Sequence, residues 1–266
     1  MPSQPLVVFG ITGRMGQALI RALREGSPFH LHGAIASPAS SRLGFDAAAD
    51  GQATGVTVSA DAAAGLTPGS LALDFSLGSA VAAHAQACSA ASVPLLVGAT
   101  ALDAATHAAL ERAASRIAVL LAPNTSVAVA VLSKLVEQAA AALDASYDIE
   151  IFEAHHRLKR DAPSGTALSL GAAAAGARGV DLSEVAVYDR HGVNAARGPG
   201  SIGFSALRAG DIVGEHTVTF AAAGERLELT HRATDRITFA RGALQAAAWL
   251  STQPKGLYRM RDVVGL

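Results

Sequence analysis

The sequence predicts an α/β fold, a Rossmann-like doubly wound parallel sheet joined to a second α+β domain, and three observations carry that prediction. Through the first half, short apolar runs that do not alternate with polar residues are separated by helical patterns. Strands buried on both faces read this way, and parallel strands need helical crossovers. In the second half the strand-like runs alternate apolar and polar residues, as in a sheet with one wet face. The third observation is Gly10-Ile11-Thr12-Gly13-Arg14-Met15-Gly16, directly after the first expected strand and opening the first expected helix.

Taken in order, the expected buried strands are Leu6 to Phe9, Leu31 to Ala36, Leu71 to Phe75, Pro94 to Val97 and Ile117 to Leu121. The helices between them are Met15 to Glu25, Ser79 to Ala91 and Asp103 to Ser115. Met15, Leu19 and Leu23 form one stripe of the first, Gly26 stops it, and Asp103 is suited to cap the third. After Pro123 the pattern changes. Val127 to Leu143 reads as a long helix, Ile149 to Glu153 as a strand, His155 to Ser164 as a polar segment, and a further helix starts near Gly165. Strands follow at Ile202 to Leu207, His216 to Phe220 and Arg226 to His231, with Gly224-Glu225 as the hairpin between the last two. A mixed or antiparallel sheet is expected there. The last helix, Phe239 to Leu250, carries Trp249 on an apolar face and is expected to return to the first domain, while Gly192 to Gly200 is the expected mobile loop.

Composition narrows the function. The 266 residues hold 21 Lys plus Arg against 22 Asp plus Glu, a net charge of -1. That balance argues against sequence-independent nucleic-acid binding, which needs a strong positive field. A single cysteine, Cys88, excludes a disulfide framework and a cysteine-based zinc site. No apolar run reaches the roughly 20 residues of a bilayer span, and the start of the chain lacks the pattern of a signal peptide. A soluble cytoplasmic protein is expected.

The glycines at 10, 13 and 16 would let backbone N–H groups approach a pyrophosphate, with the helix start adding positive character. The spacing is G-x-x-G-x-x-G, which departs from the usual dinucleotide pattern at its middle glycine. The usual acidic partner of the ribose, at the end of the second strand, is replaced by Ser37. A carboxylate there would repel the 2′-phosphate of NADP. Its loss leans the reading towards NADPH over NADH, with Ser37, Ser41, Arg42 and Arg14 as phosphate partners or, for Arg42 equally, a solvated loop residue. Of three lysines in the chain, Lys159 alone sits beside His155, His156, Arg157 and Arg160, just before Pro163-Ser164-Gly165-Thr166 opens a helix. Basic side chains facing a helix start make an anion site suited to a small carboxylate, and a histidine can deliver a proton near neutral pH.

These motifs bring out a resemblance. Gly10 to Gly16, Asp74-Phe75-Ser76, Gly98-Ala99-Thr100, Ala122-Pro123-Asn124-Thr125-Ser126, the block Glu153 to Leu168, Arg208 to His216 and Met260 to Val263 together resemble the dihydrodipicolinate reductase family over essentially the full chain. The resemblance implies NAD(P)H-dependent reduction of 4-hydroxy-tetrahydrodipicolinate in the diaminopimelate route to lysine. It implies a dinucleotide-binding domain of residues 1–125 plus 237–266, and a substrate and oligomerisation domain of residues 126–236 that builds a homotetramer. By position it implies His155 as proton donor and Lys159 as second catalytic residue, with His156, Gly165 and Thr166 on the substrate, a small dicarboxylate. The cofactor is expected along Gly10, Ile11, Thr12, Gly13, Arg14, Met15 and Gly16, at Ser37, and at Phe75 and Ser76 near the nicotinamide. Gly98, Ala99, Thr100, Ala122, Pro123, Asn124 and Thr125 complete that list, no metal is expected, and closure is expected to hinge near Asn124 to Val127 and Arg236.

Two departures stand out. Ser37-Pro38 replaces an acidic residue followed by Arg in many members, and Gly-Ala-Thr-Ala-Leu at 98–102 replaces the more usual Gly-Thr-Thr-Gly-Phe. Among other classes, a short-chain reductase would need Tyr-x-x-x-Lys, which Tyr147, Tyr188 and Tyr258 all lack. Adjacent His155 and His156 point apart on a strand, which disfavours a shared metal. A non-catalytic dinucleotide sensor on the same fold would have no need of His155 and Lys159.

Overall fold

The computed structural model describes residues 3–192 and 196–265. Two compact units emerge, one of residues up to 127 together with 236–265, the other of residues 128–235. Along the first run β1 (Gln4–Phe9), α1 (Arg14–Arg24), β2 (Phe29–Ile35), β3 (Val58–Ser59), β4 (Leu71–Asp74), α2 (Gly78–Ala91), β5 (Leu95–Val97), α3 (Ala104–Ala114) and β6 (Ala118–Leu121). They are followed by α4 (Val127–Ala142), β7 (Asp148–His155), α5 (Gly165–Ala177), α6 (Leu182–Val185), β8 (Ala186–Val187), β9 (Ile202–Arg208), β10 (Gly214–Ala222) and β11 (Glu225–Ala233). The chain then runs through α7 (Ile237–Leu250), β12 (Gly256–Arg259) and α8 (Met260–Val263).

The first unit is a parallel sheet in the order β12-β6-β5-β4-β1-β2-β3. Six of its strands follow the doubly wound dinucleotide-binding order, so the order reverses between β1 and β4. The unbroken apolar runs have the expected cause: all residues of β4, β5 and β6 are buried. Asp103 caps α3 by accepting from Thr106 N at 2.7 Å. The returning helix α7 belongs to this unit and packs on α1, with Trp249 set edge-on to Tyr258 at 5.2 Å. Gly242 lets α7 approach the segment after β6, since a Cβ there would stand 2.0 Å from the Thr125 carbonyl oxygen.

Strands β3 and β12 were not expected. One is two residues long, and the other is a half-exposed edge strand with no apolar run, so neither carries the pattern by which buried strands are read.

The second unit is a mixed sheet in the order β11-β10-β7-β9-β8, with β10 antiparallel to its neighbours and β7, β9 and β8 parallel. Helices α4 and α5 supply Leu132, Val136, Leu170 and Ala174 to a core with Ile149, Ile151, Phe204, Val218 and Phe220. The hairpin turn falls one residue earlier than expected: Ala222 pairs with Glu225, so Ala223-Gly224 make the turn, with Gly224 at φ +90°. Of the segment expected to be mobile, residues 193–195 lie outside the described residues. Beside them, Arg197 donates to Glu150 Oε1 and Ser201 Oγ at 2.9 Å, fixing that flank to β7.

Register decides what this sheet carries. Side chains alternate across a strand, so Ile149, Ile151, Glu153 and His155 share the face covered by the helices. The pairs across β7 and β10 on that face run Ile149 with Phe220, Ile151 with Val218, then Glu153 with His216. His155 lies opposite Arg208 on β9, and His216 opposite His231 on β11. In one step along the strands the covered face changes from apolar to ionisable.

Candidate functional site

The first unit offers a crevice at the carboxyl edge of its sheet, where the strand order reverses. Four loops leave this edge, each held to a neighbouring strand: Gly10 N donates to Ile35 O at 2.9 Å, Phe75 N to Phe9 O at 3.0 Å, Gly98 N to Asp74 O at 2.8 Å and Ala122 N to Val97 O at 2.8 Å. Gly10 adopts φ +78°, and a Cβ there would lie 2.6 Å from the Phe75 carbonyl oxygen. Glycine is therefore what lets the loops after β1 and β4 touch. A Cβ at Gly16 would lie 2.2 Å from Ile11 O, so this glycine lets α1 start against the loop. Gly13 is the N-cap of α1, with no side-chain cap and no acidic residue in the first turn. That leaves the helix start with its positive end uncompensated and Arg14 exposed beside it.

A cavity of about 290 Å³ opens at this edge, lined by Arg14, Met15, Phe75, Gly98, Thr100, Pro123, Asn124, Thr125, Arg236 and Phe239. Its floor is held from beneath. The buried Asp74 carboxylate accepts from Ser76 N at 2.9 Å, Ser76 Oγ at 2.6 Å and His84 Nδ1 at 2.8 Å, and His84 stacks on Phe9 at 4.1 Å. This fixes the turn that carries Phe75, whose ring lies over Gly98: a Cβ on Gly98 would meet it at 2.1 Å. A glycine-lined opening, an uncapped helix start and an exposed arginine fit a dinucleotide, with backbone N–H groups for its phosphates and an apolar wall at Phe75 for a flat ring.

The second unit places its ionisable residues at one end of the covered face. Glu153 is fully buried and accepts from four donors: Arg208 Nη1 at 2.8 Å, Arg208 Nη2 at 2.6 Å, Ser164 N at 3.0 Å and His155 Nδ1 at 2.6 Å. Burial alone would raise its pKa, but the Arg208 fork and His155 hold the carboxyl below its usual value. Burial depresses His155, and the Glu153 carboxylate opposes that. His216 Nε2 lies 2.9 Å from Ser164 Oγ, and burial pushes its pKa down to about 4. Ser164 also caps α5, accepting from Ala167 N at 3.2 Å. Lys159 Nζ meets both Asp161 oxygens, at 2.8 and 2.9 Å.

Set against expectation, the cavity gathers Arg14, Met15, Phe75, Gly98, Thr100, Pro123, Asn124 and Thr125. Ile11, Ala99 and Ala122 have their side chains in the core, so only their backbones are free to serve a ligand. Gly10 and Gly16 shape the turn, Thr12 and Gly13 sit on it, Ser76 is tied to Asp74, and exposed Ser37 follows β2. Arg42 is half-buried, and its Nη2 donates to Asp46 O and Ala48 O at 2.8 Å, pinning its own loop. In the other unit Gly165 opens α5, where a Cβ would meet nothing within 4 Å, and Thr166 follows it. His155 and His156 are both half-buried. Sequence reading missed Arg236 and Phe239 as cavity residues, Glu153 as the partner of His155, and Arg208 as the partner of Glu153. The one sign of the first pair was a charged Asp235-Arg236 step into an apolar helix.

Family models match both halves of the chain. The family model described as dihydrodipicolinate reductase, N-terminus, matches residues 4–125, and its C-terminus counterpart matches residues 128–264. The chain is 50% identical over 262 residues, 98% of each chain, to the 4-hydroxy-tetrahydrodipicolinate reductase of Thiobacillus denitrificans. It is 45% identical, over the whole of both chains, to that of Herminiimonas arsenicoxydans. Among solved structures, a dipicolinate-bound dihydrodipicolinate reductase from Paenisporosarcina sp. superposes with a TM-score of 0.72 over 97% of each chain, at 20% identity, a likeness of fold.

Proposed function

The chain belongs to the dihydrodipicolinate reductase family, NAD(P)H-dependent oxidoreductases that act on 4-hydroxy-tetrahydrodipicolinate in lysine biosynthesis, and from that premise we propose how its residues divide the reaction. Bound NAD(P)H supplies the hydride. The turn Gly10 to Gly16 takes the pyrophosphate, while Phe75, Gly98, Thr100 and the segment Ala122 to Thr125 hold the nicotinamide end. Ser37 and Arg14 accept the 2′-phosphate of NADPH, since no carboxylate stands at the end of β2 to repel it.

In the other unit the imidazolium of His155 gives the proton. Lys159, His156 and the start of α5 at Gly165 and Thr166 hold the two carboxylates of a small dicarboxylate substrate. Asp161 occupies Lys159 here, and a substrate carboxylate would take its place. The observation that carries the proposal is His155 and Lys159 at the ionisable end of β7, with a buried carboxylate 2.6 Å from His155 Nδ1. Phe152 and Leu207 stand exposed on the opposite face of the sheet and support assembly of a homotetramer through that face. No helix among the described residues is long and apolar enough to cross a membrane, in keeping with a cytoplasmic enzyme.

The test is oxidation of NADPH and of NADH with the product of the preceding synthase as substrate. Removing a general acid costs on the order of 100-fold or more in rate, so His155→Ala and Lys159→Ala are expected to lose at least that while still binding cofactor. Full rate in either variant refutes the assignment.

A further inference from the structure

Glu153 has a place that the reaction as described leaves unused. It follows Ile149 and Ile151 on the covered face of β7, where the next position in the pattern calls for an apolar side chain. A buried carboxylate is costly unless every acceptor site is filled, and here four donors fill the four that a carboxylate has. The two nitrogens of Arg208 and the amide of Ser164 fix the plane of the carboxyl group. One acceptor direction remains, and it points at His155 Nδ1, 2.6 Å away.

We propose that Glu153, locked by Arg208, is a positioning residue that keeps the Nδ1 proton of His155 in place and so reserves Nε2 as the position from which the proton leaves. The proposal rests on the reading of His155 as proton donor. In the step, the N–H bond at Nε2 breaks, its electron pair stays on the ring, and a new bond to hydrogen forms on the substrate while the hydride comes from NAD(P)H. Glu153 stays ionised throughout and the ring is reprotonated from water. Nε2 points towards Gly214, where a Cβ would stand 3.1 Å from it, so the absence of a side chain keeps that nitrogen open.

The groups facing His155 decide the direction of the effect. Lys159 and Arg208 oppose an imidazolium, as does burial, while Glu153 is the one anion in direct contact among the described residues. His216 on β10 lies ring to ring with it at 5.2 Å and is turned to Ser164, and His231 on β11 lies behind His216. Removing the Glu153 charge therefore makes His155 a stronger acid that loses its proton at lower pH.

Two measurements on the full chain test this. In the wild type, long-range ¹H–¹⁵N correlation of the histidine rings above the titration of His155 is expected to show a single Nδ1–H tautomer for that residue. An Nε2–H tautomer overturns the proposal whether or not any variant folds. In Glu153→Gln, the alkaline limb of the kcat profile is expected to move by about one unit to lower pH, with kcat down about tenfold on that limb and largely recovered below it. The KM for NADPH should stay within twofold. A merely structural role lowers the yield of active enzyme and leaves the limb in place, and that result also overturns the proposal. His155→Ala separates the two ideas: if it retains its rate, the donor assignment fails, whereas its inactivity beside an unmoved Glu153→Gln limb refutes the role of Glu153 alone.

Discussion

Two neighbouring glycines allow the cofactor turn to be tested without confusing fold with binding. Gly10→Ala forces alanine into φ +78° and presses a Cβ to within 2.6 to 2.8 Å of three backbone atoms of Phe75 and Ser76. The left-handed conformation costs about 1–2 kcal/mol and the displaced backbone about 1–3 kcal/mol more. A loss of about 2–5 kcal/mol corresponds to a fall in Tm of roughly 5–15 °C for a chain of this size. Gly13→Ala is the counterpart. Its backbone lies at φ -77°, where alanine is at ease, and the one nearby atom is Gly10 O at 3.2 Å. Its cost in stability should stay under about 1 kcal/mol. Its methyl group would project over the uncapped start of α1, where the pyrophosphate is proposed to lie, and should weaken NADPH binding by about tenfold or more, equivalent to about 1.4 kcal/mol. Thermal melting without ligand and fluorescence titration with NADPH read the two effects separately. A Gly13→Ala protein with wild-type Tm and wild-type affinity would show that the pyrophosphate does not rest on this turn. A Gly10→Ala protein with unchanged Tm would refute the close approach of the β1 and β4 loops.

Ala101 takes φ +55° in the loop after β5, where the family resemblance places glycine, so Ala101→Gly should stabilise the protein by about 1 kcal/mol; a lower Tm would contradict that. Burial keeps the folded pKa of His216 near 4, below an unfolded value of about 6.5. The unfolded chain then binds more protons between those limits, and stability falls by about 3 kcal/mol as pH drops from about 6.5 to about 4. His216→Gln should remove that share of the loss in urea unfolding, and an equal loss in both proteins rejects the reasoning. Ser37→Asp introduces the missing ribose acceptor and should lower kcat/KM for NADPH relative to NADH by about tenfold; an unchanged ratio means that the 2′-phosphate lies elsewhere.

The legible parts of the fold were those with a local cause. Leu71 to Phe75 reads as a strand because its apolar run marks burial on both faces, and the strand runs Leu71–Asp74, all buried; Asp103 reads as a cap because capping is decided within four residues. The role of Gly10 was half legible: glycine after a strand points to a close approach, but the atoms approached belong to Phe75 and Ser76, more than sixty residues away. Arg42 shows the limit. Its neighbours in sequence allow a phosphate partner or a solvated side chain, and the structure gives it the carbonyls of its own loop. Ser37 remains where the strand pattern put it, exposed at the end of β2.

Glu153 could not have been found locally at all. In sequence it is one charge at the head of a polar run, and its partner Arg208 comes 55 residues later through the parallel pairing of β7 with β9. The physical reason it matters is the same reason it is hidden. An isolated buried ion pair gives little net stability, and apolar residues of similar size are often as good or better. The core of the second unit is already supplied by Ile149, Ile151, Val218 and Phe220, so stability alone gives no cause for the covered face to become ionisable one step later. Catalysis does. A proton donor needs burial to exclude water, a cation beside it to hold an anionic substrate, and a fixed carboxylate to keep its charged form populated against both. Those three requirements pull the pKa of His155 in opposite directions, and the end of a strand is where register can place all three within contact of a single ring. The net charge of -1 over the whole chain therefore says nothing about anion binding here, because the charges that decide it act over a few ångströms, inside the roughly 8–10 Å over which salt screens the rest.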